Sequence, residues 1–397
     1  MIKRIAVTGT KGKSTTLRLL EKVFIDLHRN VYGTYGIDGY HYNQNMVRDG
    51  SDCSGYLEWD NRTMPVDVHL SEATSYTLKR GFYDNYDIDI GIWTSFDPSE
   101  HTEIHPSLGD YINSKKKLFN SLKPTSKMVV CRDMEDYSTI IESNESRVVS
   151  YGCHPEADYV ISIEELSTRG MKFSITQEKE VVVFNTKLLG EFNAKNVAAA
   201  FIALTEMGIN KDTAQSSLES FTGFKGRVER FYIPESKNHI VIDYAHTKDS
   251  LDSLLKLCSK IYPNQPIVTI FGCGGDKSRK KRPQMGKIAE KYSDRVVLTN
   301  DNPRSENPAD IIADISSGFS QDNYSVVMDR EEAIKTTLSR ARASVIVLAG
   351  KGHEMAIEFK DGSIYHNDYN SLMEWCVQNN LRLVSFTHSN SKNGDTT

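Results

Sequence analysis

The chain is poor in the features that would place it outside an ordinary folded enzyme. Its six cysteines, Cys53, Cys131, Cys153, Cys258, Cys273 and Cys376, are scattered over 397 residues without a C-x-x-C pair, which excludes a disulfide frame or a zinc site of usual spacing. No apolar run approaches the roughly 20 residues that a membrane span needs. Met1–Val7 is basic and then apolar, but the run stops at Thr8-Gly9 and no small-residue cleavage site follows, so it does not read as a secretory signal. The net charge of −5 carries no basic excess, so neither nucleic acid nor a membrane surface is expected as a partner. There is no internal repeat. These absences lead to the expectation of a soluble, cytoplasmic protein with reduced thiols.

What is present is an alternation of short β-branched runs with helical stretches, the pattern of an α/β protein whose parallel sheets are flanked by helices. Strands are expected at Arg4–Val7, Ile88–Trp93, Met128–Cys131, Ile240–Asp243, Ile267–Phe271, Arg295–Thr299 and Val345–Leu348. Helices are expected at Ser14–Leu27, Asp110–Ser121, Ala194–Met207, Ser250–Cys258, Gln284–Lys291 and Arg330–Arg340. The length suits two domains. A Gly-, Lys- and Arg-rich break at Phe221–Asn238 places the boundary, giving domains 1–225 and 226–386, and the polar tail 387–397 is expected to be disordered.

The first expected strand runs into Thr8-Gly9-Thr10-Lys11-Gly12-Lys13-Ser14-Thr15-Thr16 and then a helix. Gly9 and Gly12 let backbone N–H groups close around phosphate oxygens, and Lys13 supplies a point charge. Ser14 or Thr15 offers a hydroxyl to magnesium. The general phosphate-loop pattern would have glycine where Val7 stands, so the loop is a variant. Strand before and helix after are the context such a loop requires, and they predict ATP or GTP binding.

Five further segments, taken with this loop, resemble the Mur ligase superfamily. They are Ser71-Glu72-Ala73; His101 and His105 followed by Tyr111–Lys115; Gly190–Asn196; Gly226-Arg227-Val228-Glu229; and Asp243-Tyr244-Ala245-His246-Thr247. Four C-terminal segments are similar to the muramyl-tripeptide synthetase branch: Phe271–Asp276, Arg282–Gly286, Asp301-Asn302-Pro303-Arg304 and Gly350-Lys351-Gly352-His353-Glu354. Muramyl ligases place a UDP-sugar-binding domain ahead of the phosphate loop, whereas here the loop begins close to Met1. The stretches Gly33–Gly39 and Gly50–Gly55 look instead like the ligase module of cyanophycin synthetases. The resemblance thus implies an acceptor that need not be UDP-linked, and a partner synthetase subunit could supply its recognition.

The resemblance implies a central P-loop ATPase-like domain followed by a Rossmann-like C-terminal domain, and a ligase. ATP phosphorylates a carboxylate, and an amine displaces the phosphate to form an amide. Gly9, Thr10, Lys11, Gly12, Lys13, Ser14 and Thr15 would hold the phosphates, Ser14 or Thr15 with Glu72 would ligate a first magnesium ion that a carbamate on Lys115 could bridge, and His101 would serve a second ion or the acceptor carboxylate. Lys13, Glu72, His101 and Lys115 would be catalytic. Asn193 and Asn196 would read the adenine edge, Arg227 would reach the phosphates, and Asp243 with His246 would meet the ribose. Asp301, Asn302, Arg304, Gly350 and Glu354 would bind the incoming amino acid, the Arg304 form going with diaminopimelate. Lys277, where arginine is common, and Lys248, where proline is common, depart from the pattern. An alternative of a different class stays open: a nucleotide-binding regulatory or assembly subunit that has lost acyl transfer.

Overall fold

The computed structural model describes residues 2–50, 55–59, 62–98 and 105–386. The chain packs as two units. One holds the residues up to Leu166 with Gly170–Phe221; the other holds Ser167–Arg169 and the chain from Thr222 onward.

The first unit is built on an eleven-stranded sheet in the order Glu180–Thr186, Gly170–Gln177, Tyr159–Ser167, Val148–Gly152, Leu122–Cys131, Ile88–Trp93, Lys3–Thr8, Val68–Glu72, Val31–Thr34, Tyr40–Tyr42, Asn45–Arg48. The strands from Tyr159–Ser167 to Val31–Thr34 in that order pair in parallel, with antiparallel hairpins at the two edges. Ile5, Ala6 and Val7 are fully buried, as expected of a strand covered on both faces. The order reverses around Lys3–Thr8, which sits between Val68–Glu72 and Ile88–Trp93, so its carboxyl end opens a crevice. Registers Val7↔Glu72 and Thr8↔Trp93 bring three strand ends level there.

Helix Lys13–Asp26 leaves that crevice with Leu17, Leu20, Val23 and Phe24 buried at helical spacing. It packs against Glu191–Glu206, whose Val197–Leu204 stretch is buried on all sides and reads as a core helix.

The second unit carries a seven-stranded sheet in the order Tyr324–Val326, Arg295–Leu298, Ile267–Phe271, Val345–Ala349, Asn238–Asp243, Glu229–Ile233, Val384–Ser385. The first five run parallel and the last two add antiparallel pairs. Ile240, Ile242, Ile270, Ile346 and Leu348 form its core with Ile334, Leu338, Leu372 and Trp375 from two helices. Asp243 lies level with Ala349, and Phe271 with Leu298, so the loops after these strands share one edge.

The expected strands and helices are all present, most of them longer by a residue or more at one or both ends. Elements not anticipated include the strands Val31–Thr34, Val68–Glu72, Val148–Gly152, Tyr159–Ser167, Gly170–Gln177, Glu180–Thr186 and Glu229–Ile233, and the helices Lys211–Ser220, Pro308–Ser316 and Asp368–Gln378. Among the described residues, no helix is long and apolar enough to cross a membrane.

Candidate active site

The loop after Lys3–Thr8 needs its glycines. Gly12 caps the following helix at φ +85°, and a Cβ there would lie 2.4 Å from Asn196 Oδ1. At Gly9, φ +148°, a Cβ would meet Thr94 Oγ1 at 2.1 Å. Helix Lys13–Asp26 has no side-chain cap and no acidic residue in its first turn. The helices starting at Leu108, Lys211, Lys248, Pro308, Arg330 and Asp368 all have a capping side chain. The phosphate-loop helix therefore keeps its N-terminal amides and its positive potential for a ligand.

Several side chains converge on this loop. Lys13 Nζ donates to the carbonyls of Gly9 at 3.0 Å and Thr10 at 3.2 Å, and lies 3.6 Å from Glu72 Oε1. Ser14 Oγ donates to Glu72 Oε2 at 3.2 Å, which pairs a hydroxyl with a carboxylate, both hard oxygen donors suited to magnesium. Thr15 makes no such bond with Glu72, so Ser14 is the hydroxyl the geometry favours.

Lys115 comes from helix Leu108–Asn120 and is 1% exposed. Its Nζ donates to Thr8 Oγ1 at 3.2 Å and to the Gly9 carbonyl at 3.0 Å. Burial, reinforced by the Lys13 charge, holds its ammonium well below the ordinary lysine range against the opposing pull of Glu72. Tyr111, one turn earlier, bonds Thr10 Oγ1 at 3.0 Å and stacks on Phe96.

Asn196 Nδ2 donates to Asn193 Oδ1 at 3.2 Å, and Asn193 Nδ2 to the Leu189 carbonyl at 2.9 Å. Both are buried, and the helix they open is capped by Gly190, not by Asn193. The structure thus brings Gly9, Thr10, Lys11, Gly12, Lys13, Ser14, Glu72, Lys115, Asn193 and Asn196 to one crevice. Sequence reasoning missed Thr94 and Ser95, which follow the strand Ile88–Trp93. Thr94 and Ser95 hydroxyls both donate to the Lys11 carbonyl, and the Lys11 N–H donates to Ser95 Oγ at 2.7 Å. Polar residues directly after an apolar strand were the available signal. His101 and residues 51–54 of the Gly50–Gly55 stretch lie outside the described residues. His105 is described: it is buried, and its Nδ1 lies 2.6 Å from Asp110 Oδ2.

In the second unit the predicted residues collect along the carboxyl edge of the sheet. Asp243 Oδ2 accepts from the Val228 N–H at 2.8 Å, and burial raises its carboxyl above the ordinary range despite Arg227. The Arg227 guanidinium lies 4.9 Å from the centre of the Tyr244 ring. His246 Nδ1 lies 2.8 Å from the Tyr244 carbonyl and stays at the surface.

Asn302 Nδ2 donates to Glu354 Oε2 at 2.9 Å, and Glu354 Oε1 accepts from Tyr244 OH at 3.1 Å. Lys351, fully buried, donates to Asn302 Oδ1 at 2.8 Å and Glu354 Oε2 at 2.5 Å, and lies 3.9 Å from Asp301. Gly350 has φ +107°, and a Cβ there would come within 2.7 Å of Asp301 Oδ2. Arg304 Nε donates to Glu358 Oε2 at 2.8 Å and its NH1 to the Gly275 carbonyl at 3.0 Å.

Behind this edge lies a pair the sequence did not announce. Arg330 donates to both oxygens of Asp368 at 2.8 Å and to the Ala349 carbonyl at 2.9 Å, and neither charged side chain is exposed. The pair ties the end of Val345–Ala349 to helix Asp368–Gln378.

Comparison with known proteins agrees with this geometry. Residues 7–204 match the Mur ligase middle domain, and residues 226–352 match the Mur ligase, glutamate ligase domain. The UDP-N-acetylmuramoyl-L-alanyl-D-glutamate–2,6-diaminopimelate ligase of Oceanobacillus iheyensis is 32% identical over 365 residues, covering 88% of this chain and 73% of that protein. The enzyme of the same name from Chlamydia muridarum is 36% identical over 373 residues, with 92% and 76% covered. A solved structure of a ligase of that name superposes with a TM-score of 0.65 at 28% identity, over 96% of this chain and 79% of the other. The chain therefore belongs to the Mur ligase family of ATP-dependent, amide-forming ligases.

Proposed function

We propose that this chain activates the carboxylate of a peptide-like acceptor with ATP and captures it with the amine of an amino acid that has a second charged end. The observation that carries this reading is the crevice at the end of Lys3–Thr8. An uncapped helix N-terminus, Lys13, the Ser14–Glu72 pair and a buried lysine of depressed basicity meet there.

In the reaction a carboxylate oxygen attacks the γ-phosphorus and ADP leaves. The amine nitrogen then attacks the acyl carbon, inorganic phosphate departs, and the amine loses a proton. Phosphoryl transfer asks a protein mainly for position and charge neutralisation. The loop amides and Lys13 supply both for the phosphates. Glu72 and Ser14 would hold magnesium, which neutralises phosphate charge when bound, and His101 would serve a second ion. Lys115, favoured in its neutral form by burial, is suited to take up carbon dioxide as a carbamate, which turns a buried cation into an anion able to share in that metal site. Asn193 and Asn196 would read the adenine edge, while Arg227, Asp243 and His246 complete nucleotide recognition. Asp301, Asn302, Arg304, Gly350 and Glu354 receive the amino acid.

The relatives named above are called diaminopimelate ligases acting on a UDP-linked acceptor. For this chain the acceptor need not carry UDP, since the Gly33–Gly39 stretch resembles enzymes that extend peptides. The test is to supply ATP, magnesium, mixed amino acids and either UDP-N-acetylmuramoyl-L-alanyl-D-glutamate or the free dipeptide. ADP release with a product one residue heavier is expected. Absence of ADP with every combination would sink the reading.

A further inference from the structure

We infer that Glu358 sets the selectivity of the amine-donor site against amino acids whose far end carries a carboxylate, as that of diaminopimelate does beside its second ammonium, and in favour of those whose far end is an ammonium alone. This rests on the ligase reading above and on Arg304 lying in the donor site.

Arg304 is held for recognition. It occupies φ +51°, a left-handed conformation rare for a side chain of this size, fixed by its N–H donating to the Glu358 carbonyl at 2.9 Å and by a bridge to Phe359. Its planar fork would suit a substrate carboxylate. In this chain Nε is instead engaged by Glu358 Oε2, and NH1 by the Gly275 carbonyl. The pair stands within reach of a ligand, the Arg304 side chain being 32% exposed and that of Glu358 54%.

Glu358 is also placed with some rigidity. It lies on the strand Ala356–Phe359, which pairs with Gly362–Tyr365, and its own N–H donates to Asn302 Oδ1 at 3.0 Å. The same Asn302 oxygen accepts from Lys351, and the Asn302 amide nitrogen donates to Glu354. Glu358 is thus bonded to Asn302 through its backbone N–H and to Arg304 through its carboxylate, which sets that carboxylate beside the predicted donor contacts.

Among Asp301, Arg304, Lys351, Glu354 and Glu358 there are two cations and three carboxylates, and each cation already faces a carboxylate of the chain. A donor with a far carboxylate must break the Arg304–Glu358 pair and then sit beside the displaced Glu358 anion. A donor whose far end is an ammonium alone adds a net cation where acids are in excess. Discrimination of this kind uses repulsion as much as attraction.

The test is calorimetric titration of L-lysine and meso-diaminopimelate into the full chain with ATP analogue and magnesium, for wild type, Glu358→Gln, Arg304→Ala and the double variant. Wild type should bind lysine more tightly. Glu358→Gln should shift the ratio of dissociation constants toward diaminopimelate by roughly tenfold, the scale of a lost charge contact. In the Arg304→Ala background no ion pair is left to break, and the Glu358→Gln shift should shrink to the direct repulsion by Glu358, which a general loosening of the hairpin would not produce. An unchanged ratio, a wild-type preference for diaminopimelate, or no binding of either amino acid overturns the inference. ADP release measured on the same wild-type preparation separates that failure from failure of the ligase reading, which would show no ADP with any donor.

Discussion

The two units reach their sites by different routes. In the first, most of the proposed site lies in seven consecutive residues, Gly9–Thr15, bent by two glycines and met by Glu72 from a neighbouring strand and Lys115 from a helix. In the second, no stretch suffices. Asp243 ends one strand, Asp301 and Arg304 follow a second, and Gly350 and Glu354 follow a third; Lys351 with Asp301 and Asn302, and Asn302 with Glu354, tie the last two loops together. A phosphate site can be local because backbone amides recognise phosphate, and consecutive residues supply them. An amino-acid site needs several side chains of different charge, which only assembly can bring together.

The sharpest way to break the comparison is to attack the second unit's hidden support. Asp368→Asn leaves the Arg330 guanidinium buried without its counter-charge and should cost about 3–5 kcal/mol of stability, read as a lowered chemical-denaturation midpoint. Burial by itself raises the Asp368 carboxyl, but Arg330 and His366 outweigh it and hold it below the ordinary range. A depressed carboxyl stabilises the fold above the unfolded carboxylate pKa and loses that contribution as pH falls. The gap between wild type and variant should therefore be full above about pH 5 and close in acid; a gap independent of pH would contradict the pairing.

Next in size, Lys115→Ala should lower kcat by roughly two to three orders of magnitude, the usual loss for one preorganised charged group, with the fold intact. Added short carboxylates should restore part of the rate if a carbamate is the working form. A new carbonyl resonance in enzyme equilibrated with labelled carbon dioxide, absent in the variant, would sharpen the point. Unreduced turnover would remove Lys115 from the site.

Gly12→Ala tests how local the first site is. The left-handed backbone and the 2.4 Å approach to Asn196 Oδ1 predict weaker ATP binding by at least about tenfold, a cost on the scale of one strained residue. Titration with a fluorescent nucleotide measures it. Smallest should be Thr247→Ala, which removes the capping box of helix Lys248–Ile261 and should cost about 1 kcal/mol without changing ATP affinity. A loss of nucleotide binding there would mean that the helix start does more than cap.

Most of the first unit's site was legible from its residues. Gly9, Gly12, Lys13 and Ser14 sit where strand Lys3–Thr8 passes into helix Lys13–Asp26, the strand-loop-helix context their spacing led one to expect, and Lys115 is buried. The strands from Tyr159 to Thr186 were not legible, since Ile161-Ser162-Ile163-Glu164 alternates over too short a span to separate strand from loop. Nor was the engagement of Arg304, because Glu358 stands 54 positions away and nothing local marks it as the partner.

The phosphate loop, the succession of family segments and the longer apolar strands and helices could be read from the residues alone, since each depends on residues near one another in the chain. Only the tertiary structure decided which hydroxyl faces Glu72, how Lys115 loses its water, and which carboxylate answers Arg304, Arg330 and Lys351. Desolvation and charge pairing depend on distance in space, and sequence separation carries almost no information about that distance until the strands have found their order.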